Sequence, residues 1–346
     1  MGSELEPVLE WRREIEAGKL IGPRIVTSGP MLDGPPLQWP SSVAVATAED
    51  GHRIVRDVKR RGADFIKVHS LVPRDAYFAI ADEAKKQGIP FVGHVPDAVR
   101  AREASAAGQK SFEHLLGIFE GSSPAEDDFL KGGKTPGKLL ATYDGKRATD
   151  LFSVLARNHT WQCPVLIWER GFYLIEESDF ARDPLGKYAP ETWKTGSWRR
   201  FTNRILHDFN VDDLATRKRF VQKELEVGLA LHRAGVPFLA GTDTPSGIYV
   251  FPGFSLHDEL EIFVRAGFTP LDALQTATLN PAIFLGREAE FGTVEVGKAA
   301  DMLLLSANPL DDIRNTRKIV GVVLQGRYFS RGDLDRLLGQ AEAAAK

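Results

Sequence analysis

The chain has 346 residues, of which 43% are hydrophobic and 26% charged, with a formal net charge of -3. That is long enough for a full barrel with a small appendage, and the balance is ordinary for a soluble globular protein. The charge points to neither nucleic acid nor an anionic membrane, and a single cysteine, Cys163, excludes an intrachain disulfide.

In chain order, residues 4–19 place Leu5, Val8, Leu9, Trp11 and Ile15 at helical spacing, and Gly18 with Gly22-Pro23 ends the run. Residues 24–28 read as a short strand, followed by a Gly/Pro-rich loop through Pro40. Thr47 opens a helix to Arg61, with Asp50 three residues on as its capping box. Then comes the central stretch, Ala63-Asp-Phe-Ile-Lys-Val-His69, with echoes at Pro90-Phe-Val-Gly-His94 and Lys110-Ser-Phe-Glu-His114. Helices are predicted between them, over residues 74–87 and 99–107. Strand and helix alternating with short turns imply parallel βα units.

Residues 117–146 read as a long loop. Helix 148–157 and strand 160–167 resume the alternation. Residues 168–210 form a second long insertion, with Phe172, Tyr173, Tyr188, Trp193, Trp198 and Phe201. Both insertions are expected to cover the catalytic rim and shape the substrate pocket. A helix over 211–233 leads to a strand, Pro237-Phe-Leu-Ala-Gly-Thr-Asp243. Ser255 and Asp258 resemble a capping box for a helix ending at Ala266, and 270–278 is helical again. Short strands at 292–297, 301–305 and 319–324 predict an antiparallel appendage, followed by a terminal helix over 334–346. No run is long and apolar enough to cross a membrane, and no signal peptide is present as the chain stands. Nothing therefore marks a compartment other than the cytoplasm, although a leader could have been lost with the N-terminus.

Four of these strands end in a potential metal ligand: Lys67, His94, His114 and Asp243. Buried strands that finish in polar groups suggest ligands delivered to one rim of a barrel. Burial lowers the pKa of Lys67 toward the neutral amine, which can react with carbon dioxide to give a bridging carbamate. The alternative is an ion pair with a carboxylate such as Asp243. His94 and His114 end consecutive strands; either each is a hydrogen-bonded interior histidine, or the two imidazoles plus an oxygen ligand suit zinc with an open position for water. Asp243 either caps the turn at Thr244-Pro245 or binds metal and takes a proton from water. His69 shares a strand side with Lys67 and is a candidate for touching substrate. Of the remaining histidines, His52, His159, His207 and His232 read as surface or loop residues.

With these residues in hand, the chain resembles the amidohydrolase superfamily, and within it the imidazolonepropionase-like and Xaa-Pro dipeptidase-like group. The carrying motifs are Gly62-Ala-Asp-Phe-Ile-Lys-Val, Phe91-Val-Gly-His-Val-Pro, Ser111-Phe-Glu-His-Leu and Ala240-Gly-Thr-Asp-Thr-Pro. Leu271-Asp-Ala-Leu-Gln-Thr-Ala-Thr-Leu-Asn-Pro-Ala and Gly292-Thr-Val-Glu-Val-Gly-Lys-Ala-Ala-Asp-Met-Leu-Leu-Leu also match. The resemblance implies an α/β fold, a metal-dependent (β/α)8 TIM-type barrel with a small β-sandwich. It implies hydrolysis of amide, peptide-like or ester bonds of a small molecule through metal-activated hydroxide. It makes Lys67 the carboxylated bridging lysine, His94 and His114 ligands of the second metal, and Asp243 ligand of the first and catalytic base.

The departure is the family's His-x-His pair, which occurs nowhere here. Met1-Gly2-Ser3 resembles the tail of the segment after the second strand. The chain is therefore expected to be a barrel lacking its first two strands (residues 1–288), with C-terminal β-sandwich strands and a helix (289–346). Family members hold two Zn2+ ions; one or none is expected here, with little or no turnover. Exposed strand edges would favour a homo-oligomer. The rival readings are a non-catalytic barrel that binds at most one ion, and, ranked last for want of a Gly-rich phosphate loop, a nucleotide-binding open sheet.

Overall fold

The computed structural model describes residues 2–37, 39, 41–177, 182–209, 211–246 and 249–346. Met1 and the loop ends read at Pro40 and Asn210 lie outside the described residues. The chain divides into two compact units. The first comprises 1–134, 138–163 and 233–237; the second comprises 135–137, 164–232 and 238–346.

The first unit is α/β. Its sheet has six parallel strands in the order β2-β1-β3-β4-β5-β6. They are β1 (Met31–Asp33), β2 (Ser42–Ala44), β3 (Ile66–Val68), β4 (Phe91–Gly93), β5 (Ser111–Glu113) and β6 (Trp161–Cys163). β3, β4 and β5 are buried at every position. That is why none of them alternates between a buried and an exposed face, and why the polar Lys67, Ser111 and Glu113 within them are buried too. The helices Ala48–Arg60 and Arg74–Gln87 connect and cover these strands. Thr47 and Asp50 form the predicted capping box, with Asp50 N donating to Thr47 Oγ1 over 3.1 Å. Gly51 is required there, because a Cβ would come 2.9 Å from the Ala76 carbonyl oxygen.

Among the described residues the sheet does not close into a barrel. The run ending at Asp243 is not the predicted strand. It contributes one bridge residue, Phe238, and Pro237 O accepts a 2.8 Å bond from Gln162 N. The predicted strand at 24–28 has no ladder either. The pairing falls instead on β1, which the Gly and Pro residues around it disguise as loop.

The second unit carries the insertion. Its residues are not a loop: they form the Leu166–Tyr173 helix, 3-10 turns, the Arg199–Arg204 helix and two π-helical stretches, Trp193–Trp198 and Ile205–Phe209. They are held by an apolar cluster of Ile175, Ala189, Trp198, Ile205 and Phe251. The appendage is a three-stranded antiparallel sheet of β7 (Met302–Leu305), β8 (Ile319–Leu324) and β9 (Arg327–Ser330). The strand predicted at 292–297 is bends and turns instead. The Ser255/Asp258 capping box is also absent. Phe254 is the N-cap, Ser255 Oγ accepts from Phe251 N, and Asp258 pairs with Arg317.

Glu259 supports the start of the Leu166–Tyr173 helix. Its two carboxylate oxygens accept from Leu166 N at 3.0 Å and Ile167 N at 2.7 Å. The side chain is fully buried, and burial raises its pKa to about 8. A carboxyl whose folded-state pKa is raised favours the fold at low pH. That contribution is lost as pH rises from the ordinary carboxylate range through about 8. Urea midpoints should therefore fall between pH 5.5 and 8.5, by no more than about 5 kcal/mol of stability, and the fall should shrink in Glu259→Gln. An unchanged slope in that variant would contradict the assignment.

Candidate metal centre

Three histidines occupy the same end of neighbouring strands in the first unit, for a backbone reason. Each lies one residue beyond its strand, and its own N–H makes the last bond to the strand alongside. His69 N donates to Leu32 O at 2.9 Å, His94 N to Val68 O at 3.1 Å, and His114 N to Cys163 O at 3.2 Å. The rings follow one another across the rim, with centroids 4.2 Å apart for His69 and His94 and 5.1 Å apart for His94 and His114. Two backbone features sharpen the turn-off. His114 takes a left-handed conformation at φ 59°, uncommon for a residue with a Cβ. Gly93 sits at φ 123°, and a Cβ there would fall 2.2 Å from Val68 O, so only glycine can precede His94.

Below this rim, Lys67 and Glu113 are both buried at 3% exposure and form an ion pair. Lys67 thus meets a carboxylate that the sequence reading did not name, that of Glu113. Glu113 also groups with the rim. One ligand atom each from His94, Glu113 and His114 lies within 4.8 Å of the other two. Two imidazoles and a carboxylate are a donor set for zinc or a similar divalent ion. The residues present therefore fit a metal.

The surroundings orient these donors. The Ser70 hydroxyl lies 2.8 Å from His94 Nδ1. In the tautomer whose Nδ1–H donates to Ser70, the His94 lone pair sits on Nε2, as metal ligation requires. Burial, then the charge of Lys67, hold the His94 pKa well below its usual value, which keeps the ring neutral. Gln109 ties the strand ends together, its amide nitrogen donating to the carbonyls of Gly93, His94 and Ser111 at 3.0 Å each. The Tyr77 hydroxyl fixes that amide by donating to Gln109 Oε1 at 2.7 Å.

His69 has a partner of its own. Its Nδ1 lies 2.9 Å from a carboxylate oxygen of Asp33, which is fully buried. The other Asp33 oxygen accepts from Leu71 N at 2.8 Å and Gly34 N at 3.0 Å. Asp33 thus fixes the His69 ring through one nitrogen.

Asp243 belongs to the second unit. It is exposed, sits at φ 51°, and accepts a hydrogen bond from the Ser246 hydroxyl. Sequence reasoning missed Glu113, Asp33 and Ser70. Glu113 could have been found, because an acid at the last position of a fully buried strand must have a partner. Asp33 ends an apolar pair before Gly34, the same pattern that singled out Lys67. Ser70 gave no signal.

Residues 169–328 match the Amidohydrolase family. That stretch of similarity spans somewhat less than half of the chain. The chain's fold is similar to the solved structure of a bottromycin amidohydrolase, with a TM-score of 0.74 and 25% identity over 97% of this chain and 72% of that one. A Xaa-Pro dipeptidase structure with methionine bound in its active site matches at a TM-score of 0.64 and 19% identity, over 95% and 74%. At that identity the likeness is one of fold. Ochratoxinase of Aspergillus niger is 39% identical over 84 residues, which are 24% of this chain and 16% of that protein. The matched stretch thus spans less than a fifth of that curated relative.

Removing one member of a buried ion pair strands the other charge and is strongly destabilising. Glu113→Gln should lower stability by roughly 3–5 kcal/mol in urea denaturation, while the double change Glu113→Leu, Lys67→Met recovers most of the loss. A Glu113→Gln variant as stable as the parent would show that the pair does not hold the strands.

Proposed function

We propose that the chain is a metal-dependent hydrolase of amide or peptide-like C–N bonds, with His94 and His114 holding a Zn2+ ion. The observation that carries this reading is the convergence of the His94, Glu113 and His114 donor atoms at one rim of the sheet. The family match supports the hydrolytic class. We read the six-stranded sheet as part of a (β/α)8 barrel, with the hydrolase portion at 1–288 and the appendage at 289–346.

A divalent ion in such a centre supplies Lewis-acid polarisation of a carbonyl and a lowered pKa for water. The residues do the rest. Ser70 and Gln109 hold His94 in place. His69, fixed by Asp33, is the candidate for contact with substrate. Asp243, held by Ser246, is the candidate ligand and proton carrier. The substrate is a small molecule with an amide bond: a dipeptide, an N-acyl amino acid or a cyclic amide.

Lys67 has two incompatible states. As an ammonium it pairs with Glu113. As a carbamate it would carry a negative charge against that carboxylate, and Glu113 would have to be protonated or displaced. A second reading is a centre that binds at most one ion and turns nothing over, favoured by the lack of any His-x-His pair in the chain.

Zinc content and turnover of a panel of dipeptides and N-acyl amino acids, measured on the same preparation, separate these readings. We expect one zinc per chain, lost in His94→Ala and in His114→Ala. Zinc-dependent hydrolysis that falls at least about 100-fold in Asp243→Asn would support the enzyme. Zinc bound without hydrolysis would support the second reading. Absence of zinc binding would contradict both.

A further inference from the structure

In the second unit, a cavity of about 300 Å³ opens among the Leu166–Tyr173 helix, the Ser255–Ala266 helix and the Ile313–Arg317 turn. Its lining includes Arg170, Arg265, Asp258 and Glu261, together with the apolar Ile262 and Ile313. The acids here are already engaged. Arg317 Nη2 reaches both Asp258 and Glu261 at 2.7 Å, and Arg314 holds Asp312, which also lines the cavity, at 2.7 Å.

The other two arginines are left over. Neither the Arg170 nor the Arg265 guanidinium makes a hydrogen bond or ion pair among the described residues. Arg170 is half-buried, and burial, then the like charge of Arg265, pull its pKa below the ordinary value although Asp258, Glu259 and Glu261 act in the opposite direction. A desolvated cation without a paired anion is unfavourable, and an anion between the two guanidiniums would relieve both the burial and the repulsion.

We propose that Arg170 and Arg265 form a binding site for a small organic monocarboxylate, its carboxylate between the two guanidiniums and its apolar body against Ile262 and Ile313. Guanidinium forks match a planar carboxylate. Asp258, Glu261 and Asp312 stand close by, and they repel a doubly charged phosphate more than a single negative charge. The volume, about 300 Å³, is at the lower end for small-ligand pockets. None of these residues belongs to the candidate metal centre, so this site stands whether or not the hydrolase reading does.

The probe is 4-fluorobenzoate, followed by fluorine NMR on the whole chain, with inorganic phosphate as the competing anion. Saturable binding in the millimolar range is expected, weakened at least about tenfold by Arg170→Gln and by Arg265→Gln, and unaffected by a zinc chelator. Arg265 is exposed, so Arg265→Gln stays informative even if Arg170→Gln fails to fold. The proposal is overturned by absence of saturable binding, by unchanged affinity in Arg265→Gln, by binding that requires zinc, or by phosphate displacing the probe at lower concentration.

Discussion

A lysine ammonium and a glutamate carboxylate meet in the sheet of the first unit, both shut off from water. Lys67 comes from β3 and Glu113 from β5, with β4 between them. Neither charge tolerates that environment alone. Their union constrains how far the two strands can separate, and so where His94 and His114 stand above them. Glu113 belongs to both arrangements. It neutralises Lys67 below, and it offers an oxygen to the two imidazoles above. A single carboxylate cannot serve a cation on each side at full strength.

The rim above that pair is made by backbone as much as by side chains. Each histidine is one residue past its strand, where the chain is still registered by a ladder bond but free to turn. Gly93 allows the turn before His94, and the left-handed backbone at His114 supplies it there. Asp33 and Ser70 then fix one ring nitrogen each, on His69 and His94. Such outer partners leave the remaining nitrogen of each ring for ligand or substrate.

The part of this that could be read in the sequence was the part governed by burial. β3, β4 and β5 are covered on both faces, so their sequences are short apolar runs that stop at a charged or imidazole residue. β1 was not legible, because Gly29-Pro30 and Gly34-Pro35 bracket three residues with turn chemistry. The run to Asp243 carries the same apolar signature as β3, yet forms only a bridge at Phe238, since composition does not reveal whether an edge is available to pair with. The helices of the aromatic insertion are not legible in its sequence, where the apolar residues keep no constant period. Two π-helical stretches within it explain why. Within the site, Lys67 and the strand-end histidines stand out in the sequence, Glu113 and Asp33 do not, and Ser70 and Gln109 act through hydrogen bonds that only the folded geometry discloses.

The claim on which the rest depends is that His94, His114 and the Lys67–Glu113 pair surround the position of a metal ion. Anomalous diffraction at the zinc edge, from crystals grown with zinc, tests it most directly. The account predicts a peak within coordination distance of a ring nitrogen of both His94 and His114. A peak elsewhere, or none with the Lys67–Glu113 pair intact, would contradict it.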